Sequence, residues 1–546
     1  MRNKIAIIVI VVLITVASLR IFSAQTAFVQ VYDEPAHIAC GMEWLDKGTY
    51  QYECQHPPLT RIMAALGPYI AGSTSMGKSD MWDEGNAILY SGNYMETLQR
   101  ARFGNLLFFL IASLGVAWVA WSLFGPAESV ASVFVFTMMP SILGHSAVAT
   151  TDMGPAAFLA PTMLMFVIWL NKPSMVNSTL LGLLVAGSVF TKYSNVLFVG
   201  VGVIAVLLLF LLKGKKSVRS VLQSLRRTPV VLLVFFLAAW ACFRFSVRPV
   251  LGFEKEMFWI EYLSAKFHVS KEFLLSLVSI PIPLSEFVRG LAAVVKHNDI
   301  QGHMAYLLGK TSPHGWWYYY LVVLAVKIPL SALAAYATGL FFMVRDTVNK
   351  TNRKYWFLTV LPFVFLFSAM FLSHINIGIR HILPLLPFIA ITAGFGLVRL
   401  FHQSGRVALL GAVLAVSLVA TSVLAHPYYI SYFNLIARKE PYRYLVDSDL
   451  DWGQYVGELS AYLKENEVPR LSIAYAGTAD LSKQGLPPYQ NITKKPPKMV
   501  EGWFAINAIA RFLNPRFTWL QHYEPTAVIE NSFFVYYFSE PVSTGH

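Results

Sequence analysis

The chain has 546 residues, is 56% hydrophobic and only 13% charged, and its mean hydropathy is +0.53. A soluble globular protein carries about 25% charged residues, so most of this chain is expected in lipid. The formal net charge of +13 would suit a nucleic-acid binder, but in a membrane protein basic residues first report orientation.

A spanning helix needs roughly 20 apolar residues. The first candidate is Ile5–Phe22, after the basic start Met1-Arg2-Asn3-Lys4. Arg20 interrupts what would be a signal-peptide cleavage region, so this segment reads as an uncleaved anchor. A polar loop follows over 24–102, and further spans are expected near 104–123, 128–145, 154–170, 178–191, 195–212, 229–247, 319–342, 356–373, 382–400 and 407–425, about eleven in all. Residues 249–318 form a second large loop, in which the apolar stretch 273–295 is broken by Pro281 and Pro283 and reads as short helices on the membrane surface. Beyond 425 the β-type runs 471–475, 503–506 and 533–538, with a helical stretch over 454–465, predict a small α/β domain over 426–546.

Orientation follows from the short loops. With the N-terminus in the cytoplasm, Lys172, the run Lys213, Lys215, Lys216, Arg219, Arg226, Arg227, the run Arg345, Lys350, Arg353, Lys354, and Arg399 and Arg406 all fall on the inner side. Both large loops and the C-terminal domain then lie outside, and no nucleic-acid partner is needed. Cys40 and Cys54 share the first outer loop, where a disulfide and two free thiols are both open. Cys242 stands alone, and none of the three has metal-ligand spacing.

The polar residues of the outer side carry the functional signal. The first loop opens with Tyr32-Asp33-Glu34-Pro35-Ala36-His37. Two carboxylates before a helix are either a cap or, ionised by the helix terminus, a general base or cation ligand. Glu53-Cys54-Gln55-His56-Pro57-Pro58-Leu59-Thr60-Arg61 enters an amphipathic stretch, where His56 and Arg61 are either solvated or functional. Asp152 is the only acid between Glu128 and Glu254. An isolated acid at a membrane boundary is costly and points to function, with a cap as the plain alternative. Lys192 ends a span and either snorkels or binds an anion. His314 precedes an aromatic belt, Lys327 lies two turns inside a span, and Arg380 and His381 sit in an outer loop where positive charge needs a job such as anion binding. Acids that can deprotonate or coordinate (Asp33, Glu34, Asp152) thus join cations that can hold a phosphate (His56, Arg61, Lys192, His314, Arg380, His381). That set describes transfer from a phosphorylated lipid. No Walker motif or dinucleotide fingerprint indicates a nucleotide donor.

In these segments the chain resembles the C-type, multi-spanning glycosyltransferases of the group containing protein O-mannosyltransferases and bacterial aminoarabinose transferases. The matching stretches are 32–37, 56–59, 144–152, 314–319, 376–384 and Asp447-Ser448-Asp449-Leu450-Asp451-Trp452-Gly453-Gln454. The likeness is greatest to bacterial members with unassigned acceptors, in the inner (plasma) membrane. The fold expected from the hydropathy and loop charges is an all-α polytopic domain of about eleven spans over 1–425 with the α/β part outside, and the resemblance identifies it as a C-type glycosyltransferase fold. The resemblance also implies a polyprenyl-phosphate-linked sugar as donor, a protein, lipid or glycan as acceptor, a base at Asp33 with Glu34 beside it, and a second acid at Asp152. The donor phosphate would rest on cations such as His56, Arg61, Lys192 and Arg380. A divalent cation on Asp33, Glu34 and Asp152 is possible but not required, and no other cofactor is implied. The alternative reading is a transporter or flippase for a lipid-linked anion, which would call for two related halves that the sequence does not show. A structural or partner-binding membrane protein would leave the outer charges without a role.

Overall fold

The computed structural model describes residues 2–212, 215–250, 257–348 and 356–544. Lys213, Lys350, Arg353 and Lys354 of the expected inner loops lie outside the described residues, as do the side chains of Lys215 and Lys216.

Six helices are long and apolar enough to cross a membrane alone: Asn3–Ala24, Tyr94–Leu123, Met153–Asn171, Ser194–Leu211, Leu383–Phe401 and Arg406–Leu424. Three further apolar stretches are helix pairs meeting at a bend: Pro126–Met138 with Pro140–Ser146 at 66°, Val218–Leu225 with Thr228–Cys242 at 51°, and Tyr319–Lys327 with Leu330–Thr347 at 113°. The first and third bends fall at Pro140 and Pro329, which cannot donate to the preceding turn. Met175–Thr191 and Phe357–Leu372 are shorter apolar helices. Every expected segment coincides with one of these elements. The straight and bent ones amount to nine spans among the described residues, and eleven crossings require both short helices to cross as well. The chain is a multi-pass membrane protein.

Helices 153–171 and 383–401 are almost wholly buried, whereas 3–24 and 406–424 expose apolar flanks. The first pair therefore forms the centre of the bundle and the second pair its lipid-facing rim. Helix 383–401 packs against 330–348 and 126–138, and helix 153–171 against 94–123. In the first loop, helices Glu34–Met42 and Pro58–Ile70 touch backbone to backbone. A Cβ on Gly41 would lie 1.9 Å from the Arg61 carbonyl oxygen, so only glycine fits that crossing.

The large loops gather at one end. Trp44 Nε1 donates to the Cys242 carbonyl at 2.8 Å, Asn86 Nδ2 to the Thr478 carbonyl at 2.8 Å, and Asn298 Nδ2 to the Leu372 carbonyl at 3.1 Å. The described basic loops meet at the other end, where Ser220 bonds the Leu170 carbonyl and Arg399 pairs with Asp346 at 2.7 Å. Within the second loop the stretch broken at Pro281 and Pro283 forms helices Lys271–Val278 and Ser285–Lys296.

The C-terminal part is a five-stranded mixed sheet of β1 (Leu471–Ala474), β2 (Tyr489–Asn491), β3 (Met499–Asn507), β4 (Ala527–Ile529) and β5 (Phe533–Ser543), in the order β2-β1-β3-β5-β4. β1 runs parallel to both β2 and β3, while β5 is antiparallel to β3 and β4, with Phe504 opposite Tyr536 and Ala505 opposite Val535. Alternation along the strands sends Phe504, Ile506, Phe534 and Tyr536 to one buried face and Ile473, Ala505, Phe533 and Val535 to the other, where helix Val456–Glu465 packs. The expected boundary at 425 does not coincide with the packing boundary. Tyr429, Phe433, Ala437, Leu445 and Leu450 belong to the core of the helical bundle, while one sheet core takes in Val446 and the other starts in this part of the chain at Tyr455. Lys327 accounts for this: buried two turns into its broken span, its Nζ donates to the carbonyls of Ile430 at 2.7 Å and Asp449 at 2.6 Å.

Candidate active site

Among the loops at this end lies a cavity of about 790 Å³. Its lining includes apolar residues, among them Val196, Leu197, Phe198, Leu291, Val294, Val295, Ala369 and Leu372. It also includes the polar and charged residues Asp33, His37, Glu53, His56, Arg61, Lys192, His303, Arg380 and His381.

Asp33 stands at the start of helix Glu34–Met42 but makes no side-chain capping bond. Its carboxylate instead accepts from Arg380 Nη1 at 2.6 Å and stays about a quarter exposed. Burial alone would lower the Arg380 pKa, but Asp33, Asp152 and Asp447 outweigh it and hold the guanidinium more firmly charged. Its plane lies over the Trp452 ring, with Cζ 4.6 Å from the centroid, and its buried Nε has no hydrogen-bond partner. Arg380 is set by Gly378, whose φ of +85° brings the backbone against Asp449, so that the Ile379 amide donates to Asp449 Oδ1 at 3.0 Å.

Glu34, one residue on, is fully buried and faces away from the cavity. Arg102 donates to it twice, Nε to Oε1 at 2.7 Å and Nη2 to Oε2 at 2.8 Å, and the amides of Ala149 and Val31 complete both oxygens at 2.8 Å each. Both oxygens of Glu34, expected beside Asp33 in the site, are thus occupied by donors from within the fold. Asp152 is also buried, paired to Lys192 Nζ at 2.6 Å and accepting from Thr150 Oγ1 at 3.0 Å. It makes no capping bond, and Lys192 is turned inward rather than snorkelling. Lys192 reaches the cavity wall, whereas Asp152 lies behind it. With Asp33 on Arg380, Glu34 on Arg102 and Asp152 on Lys192, the three acids do not converge, and they do not fit a shared divalent cation. Among the described residues no group of three or more His, Cys, Asp or Glu is arranged to hold one.

Arg61 is buried rather than solvated and is held by Glu53, by Tyr50 Oη at 3.0 Å and by His37 Nδ1 at 3.1 Å. Burial raises the Glu53 carboxyl, yet Arg61 and His56 outweigh it and hold it at about 2. His56 and His381 line the cavity, but burial pushes both down toward the neutral imidazole. In that form they can serve as hydrogen-bonding groups. His314 is exposed and does not line the cavity, whereas His303, on the other side of the hairpin 305–307 with 310–312, does. His303 Nε2 lies 3.5 Å from Asp447 Oδ2. Sequence reasoning did not single out Glu53 and His303, which line the cavity, or Asp447, which pairs with His303. Glu53 and Asp447 lay inside the matched or quoted segments, while His303 carried no signal. No disulfide joins Cys40, Cys54 and Cys242.

No family model and no curated protein matches the sequence. Among solved structures, the archaeal oligosaccharyltransferase AglB from Archaeoglobus fulgidus, in complex with an inhibitory peptide and a dolichol-phosphate, aligns with a TM-score of 0.50 at 12% identity, over 94% of this chain and 72% of that one. The chain has a C-type glycosyltransferase fold. ArnT from Cupriavidus metallidurans bound to undecaprenyl phosphate aligns with a TM-score of 0.48 at 13% identity, over 96% of this chain and 97% of that one. The Pmt1-Pmt2 protein O-mannosyltransferase complex of S. cerevisiae bound to the sugar donor aligns with a TM-score of 0.35 at 15% identity, over 44% of this chain and 34% of that one. All three are C-type glycosyltransferases, and this C-type fold carries its cavity where the loops of one membrane face meet.

Proposed function

We propose that the protein is an inverting glycosyltransferase that moves a monosaccharide from a polyprenyl-phosphate carrier to an acceptor hydroxyl on the outer face of the inner membrane. The supporting observation is the mixed lining of the cavity: apolar side chains from helices 194–211, 285–296 and 356–372 together with Arg380, Lys192 and Asp33. A lipid phosphate likewise joins an apolar chain to a charged group. Eleven crossings, with both short apolar helices spanning, put the N-terminus inside and the cavity outside, in keeping with the basic residues of the opposite end.

In this reading Asp33 accepts the proton of the acceptor hydroxyl as its oxygen attacks the anomeric carbon. The new carbon–oxygen bond forms on the face opposite the breaking one, and the electron pair of the sugar–phosphate bond leaves on the phosphate oxygen. Arg380, whose Nη1 holds Asp33 and whose Nε is unpartnered, stabilises that charge together with Lys192. A single displacement needs one base and no covalent sugar intermediate. The divalent-cation variant draws no support from the separated acids.

The test is purified protein in nanodiscs supplied with polyprenyl-phosphate sugars and an envelope extract as acceptor source. Release of polyprenyl phosphate that disappears in Asp33→Asn is the expected result. Movement of the lipid across a bilayer without release would replace this reading by the transporter.

A further inference from the structure

Residues 447–454 follow the last apolar helix, yet they grip both members of the Asp33–Arg380 pair. The Trp452 ring lies beneath the Arg380 guanidinium at 4.6 Å, and the Trp452 carbonyl accepts from the Tyr32 amide at 2.8 Å, which fixes the residue before Asp33. Asp449 fixes the residue before Arg380 through the Ile379 amide at 3.0 Å, and Ser448 Oγ donates to the Ile377 carbonyl at 3.0 Å. The segment is itself anchored. Lys327 holds the Asp449 carbonyl at 2.6 Å, and the Trp452 amide donates to Gln454 Oε1 at 2.6 Å. Trp452 is 2% exposed, so its ring has no room to turn away.

A guanidinium on a flexible stem loses rotamer freedom when it grips a phosphate. An aromatic face fixed beneath it removes that loss beforehand and adds cation–π attraction. We propose that Trp452 is a positioning residue for donor recognition. It holds the Arg380 plane by stacking and holds the Asp33 backbone through Tyr32, and so sets the phosphate-binding cation and the base relative to each other. This rests on the reading of Arg380 as a phosphate ligand.

The experiment is a double-mutant cycle on the full-length protein in nanodiscs, with a synthetic polyprenyl monophosphate as probe. Trp452→Leu should weaken binding about tenfold and Trp452→Phe, which keeps a weaker ring, about threefold. In an Arg380→Ala background each further loss should shrink to less than about twofold, because the stacking partner is gone. Thermal unfolding is recorded for every variant. If Trp452→Leu does not fold, the Phe series carries the same cycle. Equal losses in both backgrounds would mean that Trp452 merely packs, and would overturn the inference while leaving the function intact. Wild-type protein that does not bind the probe would sink the functional reading and this inference with it.

Discussion

Adjacent carboxylates in the first large loop should fail in opposite ways. Glu34→Gln replaces a carboxylate oxygen by an amino group where four N–H donors converge: Arg102 Nε and the Ala149 amide on one oxygen, Arg102 Nη2 and the Val31 amide on the other. Whichever way the amide turns, two donors then face a donor. Arg102, fully buried, keeps its contacts to the carbonyls of Gln25, Phe28 and Val29 but loses its counter-charge. Removing one partner of a buried pair costs about 3–5 kcal/mol. The orphaned amides overlap with that term rather than adding in full. About 4 kcal/mol is a large fraction of a typical stability of about 5–15 kcal/mol. Membrane proteins commonly unfold irreversibly, so the measurement is a half-life at fixed temperature in detergent, together with yield from the membrane. The half-life of Glu34→Gln should collapse, whereas Asp33→Asn, whose carboxylate is about a quarter exposed, should stay within about 1 kcal/mol of wild type. A Glu34→Gln protein of wild-type lifetime but without turnover would refute the structural role and return Glu34 to the chemistry.

Asp33→Asn should lose at least about a hundredfold in turnover while still binding the lipid donor; normal turnover there with a dead Asp152→Asn would move the base to Asp152. Arg380→Ala should weaken donor binding roughly ten- to hundredfold, since a charge-assisted hydrogen bond contributes about 1.5–3 kcal/mol, and Arg380→Lys less; equal affinity for wild type and Ala removes Arg380 from the phosphate. Glu53, held at about 2 by Arg61, contributes stability that is whole above its unfolded pKa of about 4.3 and is lost as pH falls through that window. Glu53→Gln should flatten the acid-side decline in thermal stability, and an unchanged slope would count against the pair. Lys327→Met keeps the volume but leaves the Ile430 and Asp449 carbonyls without their donor, so limited proteolysis should nick 426–454 faster than in wild type. Equal protection would show that the anchor is dispensable.

The apolar segments and the strands near 471, 503 and 533 were readable because hydropathy and alternation are properties of consecutive residues. Pairings were not. Asp33 and Arg380 are 347 positions apart and Glu34 and Arg102 are 68 apart, and no local pattern says which carboxylate meets which cation. Neighbouring residues on a helix start point in different directions, so Asp33 reaches the cavity while Glu34 turns into the core. The drop in hydropathy at 425 marks where the chain can leave lipid, not whether its next residues fold back onto the bundle, as 429–450 do. The trace of that return was Lys327, an unexplained lysine inside a span. His314 and His303 share one loop, and a short hairpin, invisible to periodicity, decides which of them meets the site.

Each of the three fixed cations on the cavity wall already has a carboxylate partner: Arg380 with Asp33, Lys192 with Asp152, Arg61 with Glu53. Viewed from beyond a few ångströms such pairs nearly cancel, so they cast little field into the surroundings to draw in an anion. For the donor proposed above, this predicts arrival by sliding within the bilayer and recognition only at contact, by sharing a guanidinium or ammonium that a carboxylate already occupies. Its capture should respond only weakly to ionic strength.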